Sequence, residues 1–121
     1  MIEVSIVPVE YIEIIWNKIE GYLQGAADYT YGRFSVEDIK ASLYNETRQL
    51  WVAFDGDEVY GAVVTEVYQY PQMKTLVMHF TGGKHLKKWK VPMLKILQKF
   101  AKENAIPFID GKELLDYAKV H

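Results

Sequence analysis

The fold is decided by the stretch Lys74–Lys102, which reads KTLVMHFTGGKHLKKWKVPMLKILQKFAK. Thr75–Thr81 is rich in apolar and β-branched residues and predicts a strand. After Gly82-Gly83, apolar residues recur every three or four positions and predict an amphipathic helix. Ile106–Asp110 then predicts a short strand. Because a helix separates these two strands, we expect them to be parallel and joined by a right-handed crossover.

The sequence before this stretch predicts an antiparallel meander. Gln49–Phe54 and Glu58–Tyr70 have the composition of strands, and the Asp-Gly pair between them is a hairpin signal. Pro71-Gln72 then turns the chain into the Thr75–Thr81 strand. The other predicted elements are a strand at Glu3–Val7, a helix from Val9 that weakens at Gly21 and Gly25, a loop at Gly25–Gly32, a helix with a capping box at Ser35–Asp38, and a last helix at Lys112–Val120.

The order is therefore β-α-α-β-β-β-α-β-α. It predicts an α/β fold with a mixed sheet and helices on both faces, in a single domain over residues 1–121. The absence of cysteine excludes disulfides and a thiol nucleophile. No apolar run approaches the ~20 residues of a membrane span, and the first residues lack a signal-peptide pattern, so we expect a cytoplasmic protein with no membrane partner.

Charge is distributed unevenly along the chain. Residues 74–102 contain eight lysines and no acid, whereas residues 1–73 carry twelve Asp/Glu against four Lys/Arg. The lysines have three interpretations: the solvated face of an amphipathic helix, a site for the phosphates of a nucleotide-like cofactor, or a surface for an acidic protein or nucleic acid. Lysine without interleaved arginine or clustered exposed aromatics is a weak nucleic-acid signal, so nucleic acid is not the expected partner.

A family resemblance narrows these alternatives. The run Gln49-Leu-Trp-Val-Ala-Phe-Asp-Gly-Asp-Glu-Val-Tyr-Gly-Ala-Val-Val-Thr65, together with the element order, resembles the GNAT superfamily of N-acetyltransferases. Gly82-Gly83, Trp89 and the run Phe100-Ala101-Lys102-Glu103 look most similar to small GNAT-like proteins of bacteriophages. The resemblance covers nearly the whole chain. It implies a GNAT-like fold that stops before the last two strands of the family.

The resemblance also implies where acetyl-coenzyme A (acetyl-CoA) would bind. In the family it occupies a cleft between the fourth and fifth strands, with its pantetheine arm along strand four and its pyrophosphate on the loop that opens the next helix. The positions implied for the cofactor are His79, Phe80 and Thr81 for the arm, and Gly82, Gly83, Lys84 and His85 for the pyrophosphate. If the lysines bind a nucleotide-like cofactor, Lys84, Lys87 and Lys88 are the ones that would reach its phosphates.

Two departures from the family pattern are visible. The glycines of Thr81–Lys88 precede the turn instead of spanning it. Without two further strands, Ile106–Asp110 would be a bare sheet edge, and such an edge invites a protein partner or self-association.

Glu66 and His79 are the candidate base for acetyl transfer to an amine. They fall on the same face of the sheet if Tyr70 pairs with Met73 across the turn, and a one-residue slip would separate them. Their alternative interpretation is a solvated carboxylate and a partly buried histidine. Tyr117 lies where many family members keep an acid tyrosine, and its alternative is a packing aromatic. No metal site is expected, because the histidines show no ligand spacing.

Two functions follow from these observations. One is a GNAT-like N-acyltransferase that moves an acetyl group from acetyl-CoA to an amine. The other is a non-catalytic GNAT-fold protein that binds a partner or belongs to a phage virion. A phage origin would place the protein in the host cytoplasm or the virion.

Overall fold

A computed structural model describes residues 1–111 of the chain as five strands and three α-helices. Tyr117 and the predicted helix Lys112–Val120 lie outside the described residues. The elements are β1 (Glu3–Ile6), a short 3-10 helix (Val9–Tyr11), α1 (Ile12–Asp28), α2 (Val36–Tyr44), β2 (Gln49–Asp55), β3 (Glu58–Gln69), β4 (Lys74–Gly83), α3 (Leu86–Glu103) and β5 (Phe108–Asp110).

The strands form one mixed sheet in the spatial order β1-β2-β3-β4-β5. The first three neighbouring pairs are antiparallel, and β4 and β5 are parallel. The predicted meander, the crossover through α3 and the mixed α/β class are confirmed. Tyr70 N donates to Met73 O at 2.8 Å, which is the turn pairing assumed for the register of β3 and β4.

Helices cover both faces of the sheet, as the sequence predicted. On one face α1 and α2 bury Ile19 and Ile39 in a cluster that includes Phe80 of β4. On the other face α3 buries Trp89 and Leu97 against the opposite side of the strands. The face of α3 that carries these residues is apolar, and its opposite side carries exposed lysines. The two cores hold β4 between two layers of helices.

Helix α1 is longer than the sequence predicted. It continues through Gly21 and Gly25 to Asp28, so the predicted loop at Gly25–Gly32 is wrong in its first part. Leu23 and Ala27 are buried in the core. Their burial offsets the low helix propensity of glycine and carries the helix into its last turn.

Helix α2 begins with the predicted capping box. Ser35 Oγ accepts from the backbone N–H of Asp38 at 3.1 Å, and the Asp38 carboxylate accepts from the backbone N–H of Ser35 at 2.9 Å. The backbone N–H of Ser35, followed by its side chain, lowers the pKa of the Asp38 carboxyl. The carboxylate also lies beside the positive end of the helix dipole, which stabilises the start of α2.

Gly82 and Gly83 belong to β4 and do not form the turn before α3. They pair with Ala62 and Gly61 of β3. A Cβ on Gly82 would lie 2.2 Å from the carbonyl oxygen of Tyr22, and one on Gly83 would lie 2.4 Å from that of Tyr60. The glycine pair therefore allows close packing of β4 against α1 and β3, and Lys84 and His85 make the turn.

The contact between β4 and α1 can be tested with Gly82→Ala. We expect the free energy of unfolding to fall by about 1–3 kcal/mol, because the added methyl overlaps a backbone carbonyl. Gly25→Ala is the matched control, since its added Cβ meets no atom within 4 Å. It should raise stability by about 0.5–1 kcal/mol through helix propensity. Urea unfolding measures both, and a Gly82→Ala protein as stable as wild type would contradict the close packing.

Candidate acyl-transfer site

A β-bulge in β4 lies at the centre of the candidate site. Thr65 of β3 lies opposite Met78 and Val64 lies opposite Phe80, so His79 is an extra residue without a partner in β3. A bulge interrupts the alternation of side chains and bends the strand. The rings of His79 and Phe80 accordingly stack, with centroids 5.6 Å apart and planes at 27°. Strict alternation would have placed them on opposite faces.

The structure brings Glu66 and His79 together. Glu66 Oε1 lies 3.3 Å from His79 Nε2, and both side chains are mostly buried. The turn pairing produces this contact, since it puts the two residues on one face of the sheet, and the bulge brings Phe80 onto the same face. The proximity follows from the register assumed from the sequence, and the catalytic roles of the two residues stay predictions.

Two further residues complete the cluster, and neither was predicted. Arg48 Nε donates to Glu66 Oε1 at 3.0 Å. Its guanidinium carbon lies 5.2 Å from the centroid of the Phe34 ring and 5.5 Å from that of Phe80. Tyr68 Oη lies 2.9 Å from His79 Nε2. A signal for Tyr68 was present in the sequence: it follows Glu66 by two positions, so both side chains leave β3 on the same face.

The environment of this cluster favours a neutral histidine. Burial, followed by the positive charge of Arg48, lowers the pKa of His79, while the carboxylate of Glu66 opposes that shift. Burial raises the pKa of the Tyr68 hydroxyl, and the charge of Glu66 adds to the increase. Near neutral pH His79 therefore holds an unprotonated nitrogen, and Tyr68 keeps its proton.

Beside this cluster, β4 loses its parallel neighbour. Pairing with β5 covers only Thr75–Val77 of β4, opposite Phe108–Asp110. From Met78 to Gly83 the β5 side of β4 has no strand partner within the described residues. The side chain of Phe80 is buried in the core, so this residue presents only its backbone to that edge. Thr81 Oγ1 is buried without a hydrogen-bond partner in residues 1–111.

The turn after β4 is basic, and its lysines differ in the contacts that they make within the protein. Lys84 Nζ donates to Glu58 Oε1 at 2.6 Å, which raises the pKa of Lys84 and lowers that of Glu58. Lys88 Nζ lies 5.7 Å from the centroid of the Tyr60 ring, and Lys87 is exposed. Among the predicted phosphate ligands, Lys84 is thus already paired within the protein.

The N-terminus of α3 lacks the usual anionic partner. Its N-cap His85 has φ 54° and makes no side-chain cap bond, and the first turn contains no acid. Lys87 and Lys88 lie at the positive end of the helix dipole, where a positive charge is unfavourable. An external anion at this point would relieve that repulsion and bond to backbone N–H groups.

The last strand is shorter than predicted. β5 begins at Phe108 instead of Ile106, because the N–H of Ile106 donates to Ala101 O at 2.8 Å and Pro107 has no N–H to donate. Within residues 1–111 it is the final strand of the sheet. The proposed use of this edge by a partner or a second copy stays a prediction. None of the helices described here is long and apolar enough to cross a membrane.

Comparison with known proteins gives a fold and no close relative. No family model matches the sequence, and no curated protein matches it. A crystal structure of a probable acetyltransferase matches with a TM-score of 0.68 at 9% identity, over 98% of this chain and 86% of the other. A ribosomal-protein-alanine N-acetyltransferase from Brucella melitensis biovar Abortus matches with a TM-score of 0.64 at 11% identity, over 100% of this chain and 88% of the other.

A third matching structure was solved with acetyl-CoA. A predicted acetyltransferase from Clostridium acetobutylicum, crystallised with acetyl-CoA, matches with a TM-score of 0.60 at 13% identity. The match covers 90% of this chain and 79% of that one. The chain therefore has the mixed α/β fold of the GNAT acetyltransferases, as the sequence predicted.

The lowered pKa of His79 gives a pH-dependent stability. In the unfolded chain this histidine titrates near its ordinary pKa of 6.5, above its value in the folded protein. Below 6.5 the unfolded state thus binds more protons, and the free energy of unfolding falls as the pH drops. Most carboxylates titrate below pH 5, so the range from about pH 5 to pH 7 isolates the histidine. On acidification across this range, wild type should lose more free energy of unfolding than His79→Gln.

Urea unfolding at both pH values measures this difference, and an NMR titration of the His79 ring gives its pKa directly. A His79 pKa at or above 6.5 would contradict the described environment, as would equal pH dependence of the two proteins.

Proposed function

We propose that this protein is an N-acyltransferase that moves an acetyl group from acetyl-CoA to an amine. The observation that carries the proposal is the position of the Glu66–His79 pair, at the bulge where β4 loses its β5 neighbour. A base is needed at this point of the cleft, because an amine must lose a proton when it becomes an amide. The acetyltransferase fold supports the proposal, since one matching structure contains acetyl-CoA.

His79 supplies the base. Its pKa is lowered by burial and by Arg48, so its unprotonated form dominates near neutral pH. Glu66 lies beside it and would stabilise the imidazolium once the proton has moved. The Arg48 side chain holds the Glu66 carboxylate through a 3.0 Å bond and thereby fixes its orientation. Tyr117 stays the predicted acid for the leaving thiolate.

The cofactor would be held by two parts of this chain. The unpaired edge of β4 offers backbone groups at His79, Phe80 and Thr81 to the pantetheine amides, and the orphan hydroxyl of Thr81 fits a polar ligand nearby. The N-terminus of α3, with Lys87 and Lys88, would hold the pyrophosphate. When bound, acetyl-CoA supplies the activated thioester.

The cofactor site can be tested by charge reversal. The double variant Lys87→Glu/Lys88→Glu should weaken acetyl-CoA binding by at least about tenfold, because it replaces attraction to the pyrophosphate by repulsion. Lys95→Glu is the matched control: it lies on the same helix, about 12 Å further along its axis, beyond the reach of strong electrostatic attraction in salt. Isothermal titration calorimetry measures both affinities.

Wild type should also gain about 2.7 kcal/mol of stability at a cofactor concentration of 100 times the dissociation constant. Transfer to an amine should release free coenzyme A thiol. No binding and no thiol release at millimolar acetyl-CoA would overturn the enzyme proposal. Equal weakening by the Lys95 control would overturn the assignment of the pyrophosphate site.

One observation favours the non-catalytic alternative. Gly82 and Gly83 are fully used in packing against backbone carbonyls of Tyr22 and Tyr60, so they do not present a glycine loop to a phosphate. A GNAT-fold protein that binds a partner without catalysis would show this feature and leave the acid–base cluster unused. The titration above separates the two functions. The phage grouping and a virion location stay predictions under either function.

A further inference from the structure

His79 Nε2 has two oxygen atoms within reach, and the hydrogen bonds that it makes with them depend on where the imidazole carries its hydrogen. Tyr68 Oη lies at 2.9 Å and Glu66 Oε1 at 3.3 Å. A neutral imidazole has one protonated and one unprotonated nitrogen. If Nε2 carries the hydrogen, it donates to Glu66 or Tyr68. If Nε2 is unprotonated, it accepts the hydroxyl hydrogen of Tyr68, and the hydrogen of the ring lies on Nδ1.

The distances make Tyr68 Oη, and not Glu66, the hydrogen-bond partner of Nε2, and the contact with Tyr68 fits either direction of donation. The contact with Tyr68 has the length of a good hydrogen bond, whereas 3.3 Å lies beyond the usual N–H···O range of about 2.7–3.2 Å. The same oxygen of Glu66 already accepts a charge-assisted bond from Arg48 at 3.0 Å. The ring of Tyr68 also packs beside the imidazole, with centroids 5.5 Å apart. Tyr68 therefore covers the basic nitrogen that an acceptor amine would otherwise approach.

We propose that Tyr68 is a proton relay between the acceptor amine and His79. This inference rests on the proposed function. In the transfer step the amine nitrogen bonds to the acetyl carbonyl carbon, and the carbon–sulfur bond breaks with its electron pair on sulfur. One amine proton passes to Tyr68 Oη, and the hydroxyl hydrogen of Tyr68 passes to His79 Nε2. The thiolate takes a proton from the predicted acid Tyr117, which recovers one from water, and the imidazolium later releases its own proton to solvent.

The other groups around His79 fit this role. Within residues 1–111, the charged or titratable side chains that face it are Arg48, from the segment before β2, and Glu66 and Tyr68 of β3. Arg48 disfavours a proton on the imidazole before reaction, while Glu66 stabilises the imidazolium during reaction. Tyr68 is only partly buried, so its hydroxyl can face both His79 and an incoming amine.

The test uses Tyr68→Phe, with Tyr70→Phe as the matched control. Tyr70 is the neighbouring tyrosine, with its ring centroid 6.2 Å from that of Tyr68. Nitrogen NMR of the His79 ring in wild type should show the Nδ1–H tautomer near neutral pH. In Tyr68→Phe the hydrogen should move to Nε2, where Glu66 remains as acceptor, and kcat for acetyl transfer should fall about 100-fold. The dissociation constant of acetyl-CoA should not change.

Tyr70→Phe should keep both the wild-type tautomer and the wild-type kcat. Normal acetyl transfer with an Nε2–H tautomer in wild type would overturn the relay alone. So would a Tyr68→Phe protein with undiminished kcat. A wild-type protein that neither binds acetyl-CoA nor transfers acetyl would overturn the proposed function and the relay with it, so the two failures are distinguishable.

Discussion

The extra residue in β4 is the constraint on which the candidate site depends. Because His79 has no partner in β3, the strand bends there, and Phe80 joins the face that carries His79 and Glu66. The parallel pairing with β5 ends two residues earlier, at Val77. The bulge thus places a titratable side chain beside an open strand edge, between two helical layers that hold the strand in position.

Close packing and anion binding compete for the glycines at the end of β4. A side chain at Gly82 would collide with the backbone of α1, so this glycine is explained by packing alone. What remains for an anion is the start of α3, where His85 gives no cap and lysines replace the usual acids. The positive end of this helix resembles a phosphate-binding site. The glycine pair that suggested such a site in the sequence instead serves close packing.

Local patterns in the sequence predicted most of the fold but only half of the acid–base cluster. The hairpin turns fixed the register of the meander, and this register brought Glu66 to His79. The bulge was not predictable, because Thr75–Thr81 reads as a regular strand. Arg48 lies in a connecting segment and reaches Glu66 only through the tertiary fold. Tyr68 was one of nine tyrosines, and only its spacing from Glu66 distinguished it.

In the proposed enzyme, the unpaired edge of β4 and the start of α3 form one cofactor site. Amide NMR of the labelled wild-type protein during titration with coenzyme A tests it most directly. If the two parts form one site, the backbone amides between His79 and Lys88 should show saturable shifts, together with a shift of the His79 ring. Saturable shifts confined to another part of the sheet, or no shifts at millimolar ligand, would contradict it.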